Sequence, residues 1–123
     1  MTKIRMIIAG GRDFQDYERL EQNFDSWMEG VDNDNITIIS GGARGADRLG
    51  ERIAEEYNLD LKIYPANWET YGKKAGYIRN QQMANNATHL LAAWDRQSRG
   101  TMHMINIAQN MGLQTLVINY EPY

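Results

Sequence analysis

The stretch ITIISGGARGAD, residues 36–47, passes from β-branched residues through a glycine-rich turn directly into a helical pattern. Glycine lets a backbone approach a neighbour or a ligand closely, but it weakens any regular element. A strand, a short turn and a helix in this order form the repeating unit of parallel α/β sheets. We therefore predict a buried strand over residues 36–40 and a helix directly after the turn.

The same alternation continues along the chain. Apolar stretches predict five strands, at residues 4–9, 36–40, 59–64, 89–94 and 113–119, with four helices between them. The third helix, about residues 74–86, has a poor apolar stripe, and the third strand alternates in the manner of an edge strand with one wetter face. This pattern predicts a doubly wound parallel sheet with helices on both faces and a ligand crevice at the carboxyl ends of its strands. Strand orders 3-2-1-4-5 and 2-1-3-4-5 both fit.

The composition indicates one globular domain over residues 1–123, with 42% hydrophobic and 24% charged residues. No apolar run approaches the roughly 20 residues that a membrane span needs, so we expect no membrane partner. The absence of cysteine excludes disulfides and thiolate metal sites and favours a cytoplasmic location. The net charge of −3 disfavours nucleic acid as a partner, because phosphate contacts dominate that affinity.

Glycine, arginine and hydroxyl residues follow the predicted strands at their carboxyl ends. Helix N-termini and glycine amides bind phosphate, because their unpaired N–H groups and partial positive charge favour an anion. We predict one phosphate site built by two loops. The candidate residues are Gly10, Gly11, Arg12, Ser40, Gly41, Gly42, Arg44, Gly45, Ser98, Gly100 and Thr101, with Arg79 and Asn80 reaching the site from the third helix. The alternative is a set of tight turns in which Asp47 and Ser98 serve the helix N-termini.

Several familiar sites are excluded. The chain has no G-x-x-x-x-G-K-[ST] loop and no G-x-S-x-G elbow, and Ser40 stands where a dinucleotide-binding fingerprint needs glycine. His89 and His103 have no carboxylate at metal-ligand spacing, so we predict no metal and no cofactor. Trp68 and Tyr71, in the loop after the third strand, are candidates for stacking on a base, and loop packing is the alternative.

The segments GGRDF, SGGARGAD, PANWETYGKKAGYIRN and WDRQSRGTMHMI resemble, in order and spacing, the small single-domain branch of the SLOG superfamily. This branch comprises YspA-like, YpsA-related proteins of bacteria and phages. The resemblance covers nearly the whole chain. It implies a Rossmann-like sheet in the order 3-2-1-4-5, a small nucleotide-like ligand as partner, and a possible homo-oligomer, since LOG-type relatives pair through helices next to the site.

The same superfamily includes the LOG enzymes, which are cytokinin riboside phosphoribohydrolases. Residues 79–83, RNQQM, resemble the LOG R-K-x-x-M helix, and QSRGTMHM resembles the P-G-G-x-G-T-x-x-E loop. Arg79 carries over, but Met104 occupies the glutamate position and supplies neither charge nor proton. Asp47 and Asp95 are the best-placed substitutes, so the candidate catalytic residues are Asp47, Asp95 and Arg79.

Three functions remain open on the sequence. The first is a sensor or ligand-responsive module that binds a nucleotide or a nucleotide-derived phosphorylated ligand. The second is a nucleoside-5′-monophosphate N-glycosidase, which the missing glutamate disfavours. The third is single-stranded DNA binding, as in DNA-processing protein A of the same superfamily, which the acidic net charge disfavours.

Overall fold

In the computed structural model, which describes residues 3–122, five parallel strands form one sheet in the order β3-β2-β1-β4-β5. The strands are β1 (Ile4–Gly10), β2 (Ile36–Ser40), β3 (Asp60–Ile63), β4 (His89–Trp94) and β5 (Gln114–Asn119). This order confirms the doubly wound sheet and selects one of the two orders that the sequence left open. The strand order reverses between β1 and β4, because β1 leads to β2 on one side and β4 leads to β5 on the other.

Helices connect the strands and cover both faces of the sheet. They are α1 (Tyr17–Trp27), α2 (Ala46–Glu56), α3 (Trp68–Tyr71), α4 (Ala75–Asn85) and α5 (Arg99–Asn110), with 3₁₀ turns at Asn33–Asn35 and Gly72–Lys74. The short α3 lies in a segment that the sequence predicted as a loop. Its single turn forms because the Asn67 side chain accepts the Thr70 amide at 3.1 Å.

Two separate hydrophobic cores explain why β1 is apolar from Met6 to Ala9. Met6 and Ile8 pack on one face with α1 and α2, whereas Ile7 and Ala9 pack on the other face with α4 and α5. Successive side chains of a strand point to opposite faces, so a strand covered on both sides has no polar alternation.

The edge strand β3 departs from its prediction. Its alternating sequence predicts one buried face, but all four of its residues are exposed, including Leu61 at 41% and Ile63 at 47%. The reason lies in the position of α2, which packs mainly on β1 and β2 and reaches only the margin of β3. Within residues 3–122, no helix is long and apolar enough to cross a membrane.

The buried hydroxyl of Tyr64 leads to a prediction about the stability of the fold. The Tyr64 hydroxyl is buried without a hydrogen-bond partner among the described residues. Removing an unsatisfied buried hydroxyl relieves its desolvation cost, so we expect Tyr64→Phe to raise the free energy of unfolding by about 1 kcal/mol in urea denaturation. Tyr17→Phe is the control, because the Tyr17 hydroxyl donates to Glu56 at 3.1 Å and its loss gives no gain. Destabilisation by Tyr64→Phe would contradict this assignment.

Candidate functional site

A cavity of about 490 Å³, here called the first cavity, opens at the carboxyl ends of β1 and β4. The strand order reverses at this point, which is where open α/β sheets bind their ligands. Its lining includes the cations Arg12, Lys73 and Arg79 and the carboxylates Asp13, Asp47 and Asp95. The sheet therefore places charged groups of both signs around one crevice.

The N-terminus of α5 forms one wall of the first cavity. Ser98 caps the helix by accepting the Thr101 amide at 3.4 Å, and the two hydroxyls lie 3.1 Å apart. The preceding turn is held by Asp95, whose Oδ1 accepts the amides of Gln97 at 2.8 Å and Ser98 at 2.7 Å. Ser98, Gly100 and Thr101 all line the cavity, so the positive end of the helix dipole lies at its wall.

Asp47 is the buried carboxylate of the site. It is 5% exposed and accepts the Ala43 amide at 3.1 Å through Oδ2. Burial raises the pKa of Asp47 to about 6, although the Ala43 hydrogen bond and the nearby Arg79 guanidinium oppose that rise. A carboxyl group with this pKa changes its charge near neutral pH.

Arg79 and Asn80 connect three elements across the floor of the site. The Arg79 guanidinium donates through Nη1 to the Gly41 carbonyl at 2.6 Å and through Nε to Asn80 Oδ1 at 3.2 Å. Asn80 Nδ2 donates in turn to the Gly100 carbonyl at 3.3 Å. These bonds hold the loop after β2 (residues 41–45, here called the β2 loop), α4 and the start of α5 in one arrangement. A Cβ at Gly41 would contact the Arg79 guanidinium and would therefore require this side chain to shift.

A second cavity of about 480 Å³ opens beside the first, at the carboxyl ends of β2 and β3. Gly41, Gly42 and Arg44 line it, and none of these residues lines the first cavity. A common wall of Arg12, Ala43, Trp68 and Arg79 belongs to both cavities. The sequence assigned the β2 loop and the loop before α5 to one phosphate. In the structure, Gly41, Gly42 and Arg44 of the β2 loop lie instead at a cavity that the loop before α5 does not line.

Most of the predicted site residues lie at the first cavity. They are Gly10, Gly11, Arg12, Asp47, Trp68, Arg79, Asn80, Asp95, Ser98, Gly100 and Thr101. Of the described residues that the sequence proposed, Ser40, Gly45 and Tyr71 line neither cavity. The Ser40 hydroxyl accepts the Gly42 amide at 3.0 Å and donates to Glu51 at 2.7 Å, so Ser40 braces the turn. Gly45 lies against the Gly11 carbonyl, where a side chain would not fit.

Sequence reasoning missed three residues of the site. Lys73 and Tyr77 line the first cavity, and the Tyr77 ring lies 4.5 Å from the ring of His103. Tyr77 precedes Asn80 by three residues on α4, so helical spacing from Asn80 was a usable signal. Tyr120 donates to Asp13 and thereby holds the loop after β1, but no local pattern links residues 107 positions apart.

The fold and the cavities together define a Rossmann-like α/β protein with a charged crevice at the point where its strand order reverses. Residues 4–71 match the model of the YspA, cpYpsA-related SLOG family. The Gene 61 protein of Mycobacterium phage D29 is 32% identical over 124 residues, covering 94% of this chain and 95% of that protein. The chain therefore belongs to the YspA, cpYpsA-related SLOG family, which confirms the resemblance in its sequence motifs.

A solved structure supports the fold. DNA processing protein A (DprA) from Streptococcus pneumoniae superposes with a TM-score of 0.73 at 13% sequence identity. The match covers 98% of this chain and 51% of that protein, so the chain spans about half the length of DprA. At this identity, the likeness establishes a shared Rossmann-like fold and nothing finer.

Proposed function

We propose that this protein binds a nucleotide or a nucleotide-derived phosphorylated ligand in the first cavity and acts as a sensor or ligand-responsive module. The observation that carries the proposal is the meeting of the α5 N-terminus with Arg12 and Lys73 in one cavity. Its volume of about 490 Å³ lies within the range of roughly 300–1,000 Å³ for small-molecule sites. Membership of a SLOG family is consistent with a nucleotide-related role.

The phosphate belongs at the α5 end of the cavity. A helix dipole contributes only about 0.3–1 kcal/mol to anion binding, whereas each charge-assisted hydrogen bond contributes about 1.5–3 kcal/mol. Arg12 and Lys73 are exposed side chains that can supply such bonds beside Gly100 and Thr101. Helix amides and exposed cations together are the donors that hold a phosphate against water.

The sugar belongs near Asp47. A carboxylate repels a phosphate, but it accepts hydrogen bonds from ribose hydroxyls. Asp47 lines the first cavity, and its remaining oxygen Oδ1 carries no bond to the β2 loop in the described residues. We therefore assign the sugar to the β2 side of the cavity and the phosphate to the α5 side.

The aromatic rings at the cavity supply a surface for the base. Trp68 is 52% exposed and Tyr77 is 45% exposed, and both line the first cavity. Stacking of a base on an aromatic side chain contributes about 1–3 kcal/mol and tolerates any base. Tyr71, the other ring considered in the sequence, lines neither cavity, so we assign stacking to Trp68 and Tyr77.

Calorimetric titration with the four nucleoside 5′-monophosphates AMP, GMP, CMP and UMP tests the proposal. We expect at least one to bind, and Arg12→Ala to weaken its binding by about tenfold or more, as loss of one charge-assisted bond requires. Arg52→Ala is the matched control, because Arg52 is an exposed arginine paired with Glu56 at 2.7 Å and lines neither cavity. The proposal fails when neither these monophosphates nor the corresponding diphosphates bind, or when both arginine variants behave alike.

One observation favours an enzyme as the second candidate. Asp47, with its pKa of about 6, is partly protonated near neutral pH, as a general acid for cleavage of an N-glycosidic bond must be. Asp95 suits this role less, because its Oδ1 already accepts two backbone amides. Chromatography for free base after incubation with the same monophosphates tests this activity. Release of base that survives Asp47→Asn would exclude Asp47 as the acid.

A further inference from the structure

We propose that the second cavity binds a second phosphate of the same ligand, so that the ligand is a nucleotide derivative with two phosphate groups. This inference rests on the proposed function and deepens it. The sequence assigned both glycine-rich loops to one phosphate, but Gly41, Gly42 and Arg44 line only the second cavity, whereas Ser98, Gly100 and Thr101 line only the first.

The charge of the second cavity points to an anion. Among the described residues, its lining contains four arginines, Arg12, Arg44, Arg48 and Arg79, and a single carboxylate, Glu51. That carboxylate is already engaged, because Glu51 Oε2 accepts the Ser40 hydroxyl at 2.7 Å. A cluster of guanidinium groups facing one space is electrostatically unfavourable without an anion, and this chain carries a net charge of −3.

None of these four arginines forms a salt bridge with a carboxylate in the part of the chain that the structure describes. The ion pairs within residues 3–122 are Arg52–Glu56 and Arg96–Glu121, and neither lies at the second cavity. Burial lowers the pKa of Arg79, Asp47 opposes this shift, and the nearby positive charge of Arg12 adds to it. Four guanidinium groups therefore line this cavity, and only Glu51 in the lining and the nearby Asp47 oppose their positive charge.

Glycine keeps the floor of the second cavity open to a phosphate. A Cβ at Gly42 would lie 3.3 Å from Ile63 Cγ2, and the backbone there has φ +75°. Arg48 donates to the Gly42 carbonyl at 3.4 Å, and Arg79 donates to the carbonyl of Gly41, so both guanidinium groups lie against the glycine backbone. Guanidinium groups are suited to phosphate because their fork of donors matches its oxygens.

The two cavities lie side by side and share the common wall, so one ligand that reaches past this wall can contact both. Arg12 and Arg79 belong to both linings, so each can bind a phosphate on either side. The half-exposed Trp68 lies on the same wall, where a base or sugar between two phosphates would pack. The shared chemistry is a second phosphate, joined either directly to the first or through a sugar.

The test compares ligands with one and two phosphates. Calorimetric titration would use the nucleoside monophosphate that binds best, the nucleoside diphosphate of the same base, its 5′-phosphorylated dinucleotide, and a thymidine dodecamer. Each would be titrated into the wild-type protein, the Arg44→Ala/Arg48→Ala double variant and the control Arg52→Ala. We expect the diphosphate or the dinucleotide to bind at least about tenfold tighter than the monophosphate. The double variant should lose this preference and Arg52→Ala should keep it.

The outcomes separate the two proposals. A monophosphate that binds as tightly as both two-phosphate probes would overturn the second phosphate site and leave the proposed function intact. A preference for two-phosphate probes that persists in the Arg44→Ala/Arg48→Ala variant would likewise overturn the second phosphate site and leave the proposed function intact. Binding of the dodecamer without the dinucleotide would instead assign the arginines to nucleic acid and overturn this inference. Absence of binding by every probe would overturn both proposals.

Discussion

Gly45→Ala should lower the free energy of unfolding by about 3–5 kcal/mol, measured by guanidinium denaturation. Gly45 has φ +75° and ψ −127°, and strain of this kind costs a side-chain-bearing residue about 1–3 kcal/mol. A Cβ would also collide with the carbonyl groups of Gly11 and Arg12, and overpacking adds about 1–3 kcal/mol. The Gly11 carbonyl accepts the amides of Phe14 at 3.2 Å and Ala46 at 3.1 Å, so its displacement weakens both bonds.

Gly30→Ala is the matched control for Gly45→Ala. Gly30 has a similar φ of +82°, but nothing in the described chain lies within 4 Å of its Cβ position. This variant carries only the backbone strain, so we expect a loss of about 1–2 kcal/mol. Equal losses in the two variants would show that Gly45 is not in close contact with the loop after β1.

Asp47→Asn should abolish a loss of stability that the wild-type protein suffers as pH rises from about 4 to about 6. The native pKa of Asp47 is about 6, against 3.8 for the free side chain, so the native state binds more protons in this window. The contribution of Asp47 to the free energy of unfolding therefore falls by about 3 kcal/mol as pH rises through this window. Above pH 6 this contribution is constant. The asparagine oxygen still accepts the Ala43 amide, so the hydrogen bond survives.

Urea denaturation at pH 4, 5, 6 and 7 measures this effect. The stability difference between Asp47→Asn and the wild-type protein should grow by about 3 kcal/mol across the series. Asp60→Asn, which replaces an exposed carboxylate, is the control. A stability difference between Asp47→Asn and the wild-type protein that is independent of pH would mean that burial does not raise the pKa of Asp47. A nucleotide that engages the Asp47 carboxylate should, in contrast, bind less well to Asp47→Asn.

The sequence predicted the elements of the fold because their signals are local. Residues 36–47 contain a buried strand, a turn and the start of a helix in adjacent positions, and the structure confirms all three. The strand order needed the family resemblance, because the alternating pattern fits two orders. The exposure of Leu61 and Ile63 was not predictable, since it depends on where α2 lies across the sheet.

The residue types of the candidate site were predictable from the sequence, but the division of the site into two cavities was not. Glycine and arginine after the strands indicated anion binding. Of these residues, Gly10, Gly11, Arg12 and Gly100 lie at the first cavity, whereas Gly41, Gly42 and Arg44 lie at the second. The wall between the cavities combines Arg12, Ala43, Trp68 and Arg79, which come from four separate parts of the chain. No short stretch of sequence indicates that these four residues lie together. The contact between Tyr120 and Asp13 was not predicted for the same reason, since the two residues are far apart in the sequence.

The central claim is that a nucleotide phosphate binds at the start of α5 in the first cavity. A ¹H–¹⁵N correlation spectrum, recorded during titration with the monophosphate that binds best, tests it most directly. We expect the largest shifts at the amides of Gly100 and Thr101 and at Arg12. An unchanged spectrum, or shifts confined to residues outside both cavities such as those of α1, would contradict the claim.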